Sequence, residues 1–107
     1  MEIICDGLDL SDAVVTVLKA TSNKTTNPIL EGIKLKAYNN MLELSATDSE
    51  LSIIKRIKAE VLKDGEIVVP GNFFSNYIKR LTNEQLRLTI TDGKLLKISY
   101  TDSEGFI

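Results

Sequence analysis

EIICDGLDLSDAVVTV, residues 2–17, and EIVVPGNFFSNYIKRL, residues 66–81, superpose without a gap, and that correspondence decides the fold. It pairs Gly7 with Gly71, Leu10 with Phe74, Ser11 with Ser75, Val14 with Ile78 and Val17 with Leu81. In each copy a short apolar run meets a glycine turn and then a stretch whose apolar residues recur at the spacing of one helical face. Further along, LELSATDSE from Leu42 returns as LKISYTDSE from Leu96, with the offset shortened by a longer loop at 21–28 in the first copy. The chain therefore reads as two β-α-β-β-β units.

The first helix follows Gly7, with Leu10, Val14, Val17 and Leu18 on its apolar face, Asp9 as its cap and Asp12 in the dipole-favoured first turn. The second follows Pro70-Gly71, with Asn72 as a cap candidate and Phe74, Ile78 and Leu81 as its stripe. Each is expected to run about three turns. Strands are expected at Glu2–Cys5, Ile33–Tyr38, Met41–Ala46, Leu51–Ile57, Glu66–Val69, Leu86–Ile90 and Leu95–Tyr100. Asn39-Asn40 and Asp92-Gly93 each join two alternating runs, which makes hairpins the economical connection. Duplicated units of this kind bury their apolar faces against each other. The expected class is α+β: two antiparallel sheets with both helices side by side on one face.

With 107 residues, 43% apolar and 26% charged, the chain can bury one core. It lacks an apolar run long enough for a membrane span and a secretory-type N-terminus, so a cytoplasmic place and no membrane partner are expected. Cys5 is alone among apolar neighbours, which excludes an internal disulfide or a cysteine metal site. Histidine is absent, removing the usual general base and the commonest zinc ligand; no nucleophile–base pattern stands in for it, and no enzyme or cofactor is expected. Asp48 and Glu50, like Asp102 and Glu104, sit in Thr-Asp-Ser stretches that read as turn chemistry rather than a metal site. The net charge of −2 does not itself announce a nucleic-acid binder; the balance shifts from four Lys against eight acids in residues 1–50 to nine Lys/Arg against seven acids in 51–107.

The stretch Ser22-Asn23-Lys24-Thr25-Thr26-Asn27-Pro28-Ile29-Leu30 is similar to the basic-Thr-Thr-x-Pro-Ile-Leu stretch of the first domain of bacterial DNA polymerase sliding clamps. Gly32-Ile33-Lys34-Leu35, Ala46-Thr47-Asp48-Ser49-Glu50, Val68-Val69-Pro70, Phe73-Phe74-Ser75 and Lys79-Arg80-Leu81 follow in the family's order, so the resemblance covers the whole chain. The departures are Lys24 where arginine is usual, Asn72 where a basic residue is common, and Thr82 where proline often follows the leucine.

The resemblance implies duplicated β-α-β-β-β domains, three to a chain, with two chains closing a ring around duplex DNA that tethers the replicative polymerase. This chain would be the first domain of a longer one, ending where the family's domain runs into an edge strand near Phe106; the pocket for client peptides, through which polymerase and clamp loader bind, would lie in later domains. Sequence-independent DNA contact is implied for Lys24, Asn72, Asn76, Lys79 and Arg80. The other reading of Lys24 is a solvated loop lysine, and that of Asn72 a helix cap. Contact with a second clamp subunit is implied for Phe73, Tyr77 and Phe106, with core packing as the other role open to the first two. On the first helix the matching face carries Asp9, Asp12, Thr16 and Lys19, which is not basic. The competing reading is a small stand-alone α+β interaction module that binds a peptide along a sheet edge.

Overall fold

The computed structural model describes residues 1–21, 32–47, 52–91, 95–100 and 103–107. The elements run β1 (Glu2–Asp6), α1 (Gly7–Thr21), β2 (Gly32–Tyr38), β3 (Met41–Thr47), β4 (Ser52–Lys58), β5 (Glu60–Lys63), β6 (Gly65–Pro70), α2 (Gly71–Ile78), β7 (Gln85–Ile90), β8 (Leu96–Tyr100) and β9 (Ser103–Phe106). All strand pairs are antiparallel. One sheet has the order β5-β1-β7-β8-β9 and the other β4-β3-β2-β6.

The repeat explains this order. Its correspondence maps β1 onto β6, β2 onto β7, β3 onto β8 and β4 onto β9. Each sheet takes the first strand of one unit and the last three of the other, β6-β2-β3-β4 and β1-β7-β8-β9. Because the units exchange a strand, neither can close its sheet alone. The core between the sheets and helices is built from equivalent positions: Leu10 and Phe74, Val14 and Ile78, Leu35 and Leu88, Leu44 and Ile98 are all fully buried. Each such side chain contributes about 1.5–3 kcal/mol of burial free energy. The helices pack on each other, α1 also on β3 and β4 and α2 on β6.

The local differences from the sequence reading have physical causes. α1 is capped by Asp6, whose Oδ2 accepts the Asp9 N–H at 3.2 Å, so Asp9 lies in the first turn instead of at the cap and Asp12 comes later. α1 runs 15 residues and α2 only eight. The shorter helix starts directly after Pro70, so Asn72 is inside it and is not the cap. It ends in a tightened turn, with Leu81 N–H donating to the Ile78 carbonyl at 2.8 Å and Glu84 N–H to that of Leu81 at 3.1 Å. β5 and β9 were not expected as strands from periodicity; β5 lies at a sheet edge with Glu60, Leu62 and Lys63 exposed, so no alternation marks it.

Asn39 and Asn40 adopt the left-handed conformation, φ 50° and 56°, that a two-residue hairpin of matching twist requires. Asn40 has a second role. Its carbonyl accepts the Ala59 N–H at 3.2 Å and its Oδ1 the Val61 N–H at 3.4 Å, pinning the corner where the chain crosses from β4 in one sheet to β5 in the other. Asp92-Gly93 lies outside the described residues, but the Thr91 N–H donates to the Leu95 carbonyl at 2.8 Å and β7 pairs with β8 as that hairpin requires.

Candidate nucleic-acid interface

The apolar stripe of α2 turns Phe74 and Ile78 inward, and helical geometry then turns the opposite side outward. Asn76, Lys79 and Arg80 are all exposed there, at the end of a helix whose carbonyl-rich terminus favours positive charge. The backbone places Asn72 on this same line, one turn before Asn76; its side chain lies outside the described parts, as does Lys24 entirely.

Charge pairing separates these cations from the other arginines. Arg56 is held by Glu43 at 3.0 Å and Arg87 by Glu2 at 3.2 Å, whereas among the described residues no carboxylate pairs with Arg80 or Lys79. The outward face of the β4-β3-β2-β6 sheet is largely self-neutralised: Lys34 meets Glu66 at 3.4 Å, Glu43 accepts from both Arg56 and the Tyr38 hydroxyl, and Lys36 lies 5.3 Å from the centroid of the Tyr38 ring. Glu43 and Tyr38 hold the Arg56 guanidinium above its ordinary range, the Tyr38 hydrogen bond first. Lys55, Lys58 and Lys63 are exposed as well, so a cation alone does not single out α2; the adjacency of Lys79, Arg80 and Asn76 does.

Among its described residues α1 offers no second such surface. At the positions equivalent to Phe73, Asn76 and Arg80 it exposes Asp9, Asp12 and Thr16, and the Thr16 hydroxyl is spent on the Asp12 carbonyl at 2.9 Å.

The three residues assigned to subunit contact separate in the structure. Phe73 is 65% exposed, far above what a core role allows. Tyr77, a turn further, is half-buried and packs on the core beside Tyr100. Phe106 lies in β9 at the outer edge of its sheet; its side chain is outside the described parts. Two contacts escaped sequence reading. Gly7 sits against the turn after α2, its N–H donating to the Glu84 carbonyl at 2.8 Å, and Gly105 sits under the Tyr77 hydroxyl. An isolated glycine inside a strand is a sign of close approach, so the second left a signal.

Cys5 is buried, its thiol pushed up to about 12 by burial first and then by the charges of Asp6 and Asp9, so it is inert packing. Among the described residues no group of His, Cys, Asp or Glu could hold a metal ion, and no helix is long and apolar enough to cross a membrane. Asp48, Glu50 and Asp102 lie outside those residues, as does the Glu104 side chain.

Residues 1–106 match the family described as DNA polymerase III beta subunit, N-terminal domain. The chain belongs to that family. A beta sliding clamp of Staphylococcus epidermidis is 41% identical over a match that covers 71% of this chain and 24% of that protein. The DNA polymerase sliding clamp of Bacillus subtilis superposes with a TM-score of 0.88 at 29% identity, covering 99% of this chain and 30% of that one. That of Caulobacter crescentus gives 0.88 at 26% identity, covering 99% and 29%. The chain thus spans about a quarter of the length of the curated relatives it matches. This DNA polymerase III beta N-terminal fold, with two helices on one face of paired antiparallel sheets, is the architecture the repeat implies.

Proposed function

We propose that the chain is a domain of a ring-shaped sliding clamp, a DNA replication processivity factor that encircles duplex DNA and tethers the replicative polymerase. The family match over residues 1–106 carries this. The geometry supports it: a ring that holds DNA by topology needs weak contacts to phosphate that carry no sequence information and let the duplex slide. A row of asparagines ending in Lys79 and Arg80 is of that kind, and Lys24 is assigned to the same role. Its part is mechanical, without catalysis or cofactor, and it works in the cytoplasm beside a second clamp subunit, which Phe73 and the β9 edge around Phe106 would meet. Polymerase and clamp loader would be engaged through parts of the assembly outside this chain.

The test is titration of fluorescently labelled duplexes of unrelated sequence with the chain at low and moderate salt. Binding should be feeble and sequence-blind. At low salt, Lys79→Ala and Arg80→Ala should each shrink the log-log salt slope by roughly 0.9, one released counterion per phosphate contact. Submicromolar or sequence-selective binding at physiological salt contradicts the topological account, and an unchanged slope in both variants removes α2 from the interface.

A further inference from the structure

Tyr77 was assigned by resemblance to contact with another subunit, yet the structure turns it toward its own sheet. Its ring lies directly over Gly105 of β9. A Cβ added at Gly105 would overlap the Tyr77 hydroxyl and lie 2.6 Å from Cζ and 2.9 Å from Cε2, so only glycine admits the ring at this distance. Tyr77 and Tyr100 of β8 both pack against the core, and burial first, then the neighbouring Tyr100, holds the Tyr77 hydroxyl above its ordinary range. One side chain of α2 therefore bears on the last hairpin, in which Ile98 faces Gly105 and Tyr100 faces Ser103.

That hairpin ends its sheet. Among the described residues β9 pairs with β8 on one side only, and the ladder runs on through reciprocal bonds between Leu96 and Ile107 at 2.8 and 2.9 Å. Its other side presents backbone groups along a short strand, the kind of edge that drifts unless something fixes its twist and angle. Few contacts are available for that at a sheet margin, and α2 supplies one through Tyr77.

We propose that Tyr77 is a positioning residue for the β9 edge: seated over Gly105 and packed on the core, it locks the helix that carries Lys79 and Arg80 to the strand offered to another subunit. The use of the edge rests on the clamp reading above; the lock itself does not. A helix that meets DNA and an edge that meets a neighbour are thereby one rigid piece, so a shift of α2 is carried to β9 through a single aromatic contact.

Backbone amide hydrogen exchange of the 107-residue chain tests the lock without DNA or a ring. Tyr77→Leu stays apolar but removes the ring over Gly105. Exchange at residues 103–107 should speed up roughly three- to tenfold, the size of one aromatic contact, while amides of β2, β3 and β4 keep their rates. Gly105→Ala displaces the ring from the other side and should give the same local effect, and the double variant should add little to either single one, because both remove the same contact; if Gly105→Ala fails to fold, Tyr77→Leu still decides. Unchanged exchange at 103–107, equal acceleration across both sheets, or additive effects of the two substitutions would each overturn the proposal. Failure of the clamp reading shows separately, in the duplex titration.

Discussion

Replacing Gly7 by alanine inserts one methyl group where the start of α1 meets the turn after α2. The new Cβ would overlap the Leu81 carbonyl oxygen and lie 2.8 Å from that of Glu84 and 3.0 Å from the Leu81 carbonyl carbon. All three are backbone atoms, held in place by the Gly7–Glu84 bond at 2.8 Å and by the Leu81 and Glu84 turn bonds, so no side chain can swing aside. The start of α1 must move away from the end of α2. Overpacking of this kind costs about 1–3 kcal/mol, and loss of the Gly7–Glu84 bond about 1 kcal/mol more. Alanine's better helix propensity returns up to about 1 kcal/mol. The net loss should be about 1–4 kcal/mol, or roughly 5–30 °C in Tm for a chain of this size. Urea unfolding followed by circular dichroism reads it, with the midpoint falling and the slope unchanged. Gly32→Ala is the control: its Cβ would lie 2.9 Å from Val68 Cγ1, but Val68 is 65% exposed and can rotate away, so the cost should stay within about 0.5 kcal/mol. A Gly7→Ala chain as stable as the Gly32→Ala chain refutes the close-packed joint between the helices.

Asn40→Ala should cost about 1–2 kcal/mol, since alanine is strained at a φ of 56°; Asn40→Gly, which relaxes the backbone and loses only the bond to Val61, should cost less than half as much, and equal losses would place the cost in the side chain instead. Cys5 makes an alkaline prediction: its folded value near 12 lies above the unfolded 9, so its contribution is complete below pH 9 and is lost as the pH rises toward 12. Tyr77, raised by burial and then by Tyr100, adds a loss of the same sign at alkaline pH. Thermal melts from pH 8 to 11 should show falling stability, less steeply in Cys5→Ala; a flat profile contradicts the burial of both groups.

Much of this architecture was readable because the repeat carries its own check. Aligning Leu10 with Phe74 and Val14 with Ile78 fixes two helical faces at once, and a wrong period in one copy would have broken the match in the other. Asn39-Asn40 set the first hairpin for the same local reason, a conformation few residues accept. What stayed hidden was non-local or unpatterned. Asp6 and Asp9 both suit a cap, and only the start of the helix at Gly7 decides between them. β5 exists because β1 has an edge to cover, which nothing within Glu60–Lys63 announces. In the candidate site, the outward direction of Asn76, Lys79 and Arg80 follows from the α2 stripe. That no carboxylate among the described residues pairs with the two cations depends on where Glu2, Glu43 and Glu66 fold to, and the inward turn of Tyr77 depends on Gly105, far along the chain.

Topology is the central claim, and it is tested most directly by exchanging residues 1–107 for the matching first segment of the Bacillus subtilis clamp and following retention of the chimera on DNA. A loaded chimera should stay on nicked circular duplex through a high-salt wash, which screens contacts such as those proposed for Lys79 and Arg80, and should run off within the same time once the circle is cut. A folded, dimeric chimera that leaves circular and linear DNA at the same rate would contradict the account.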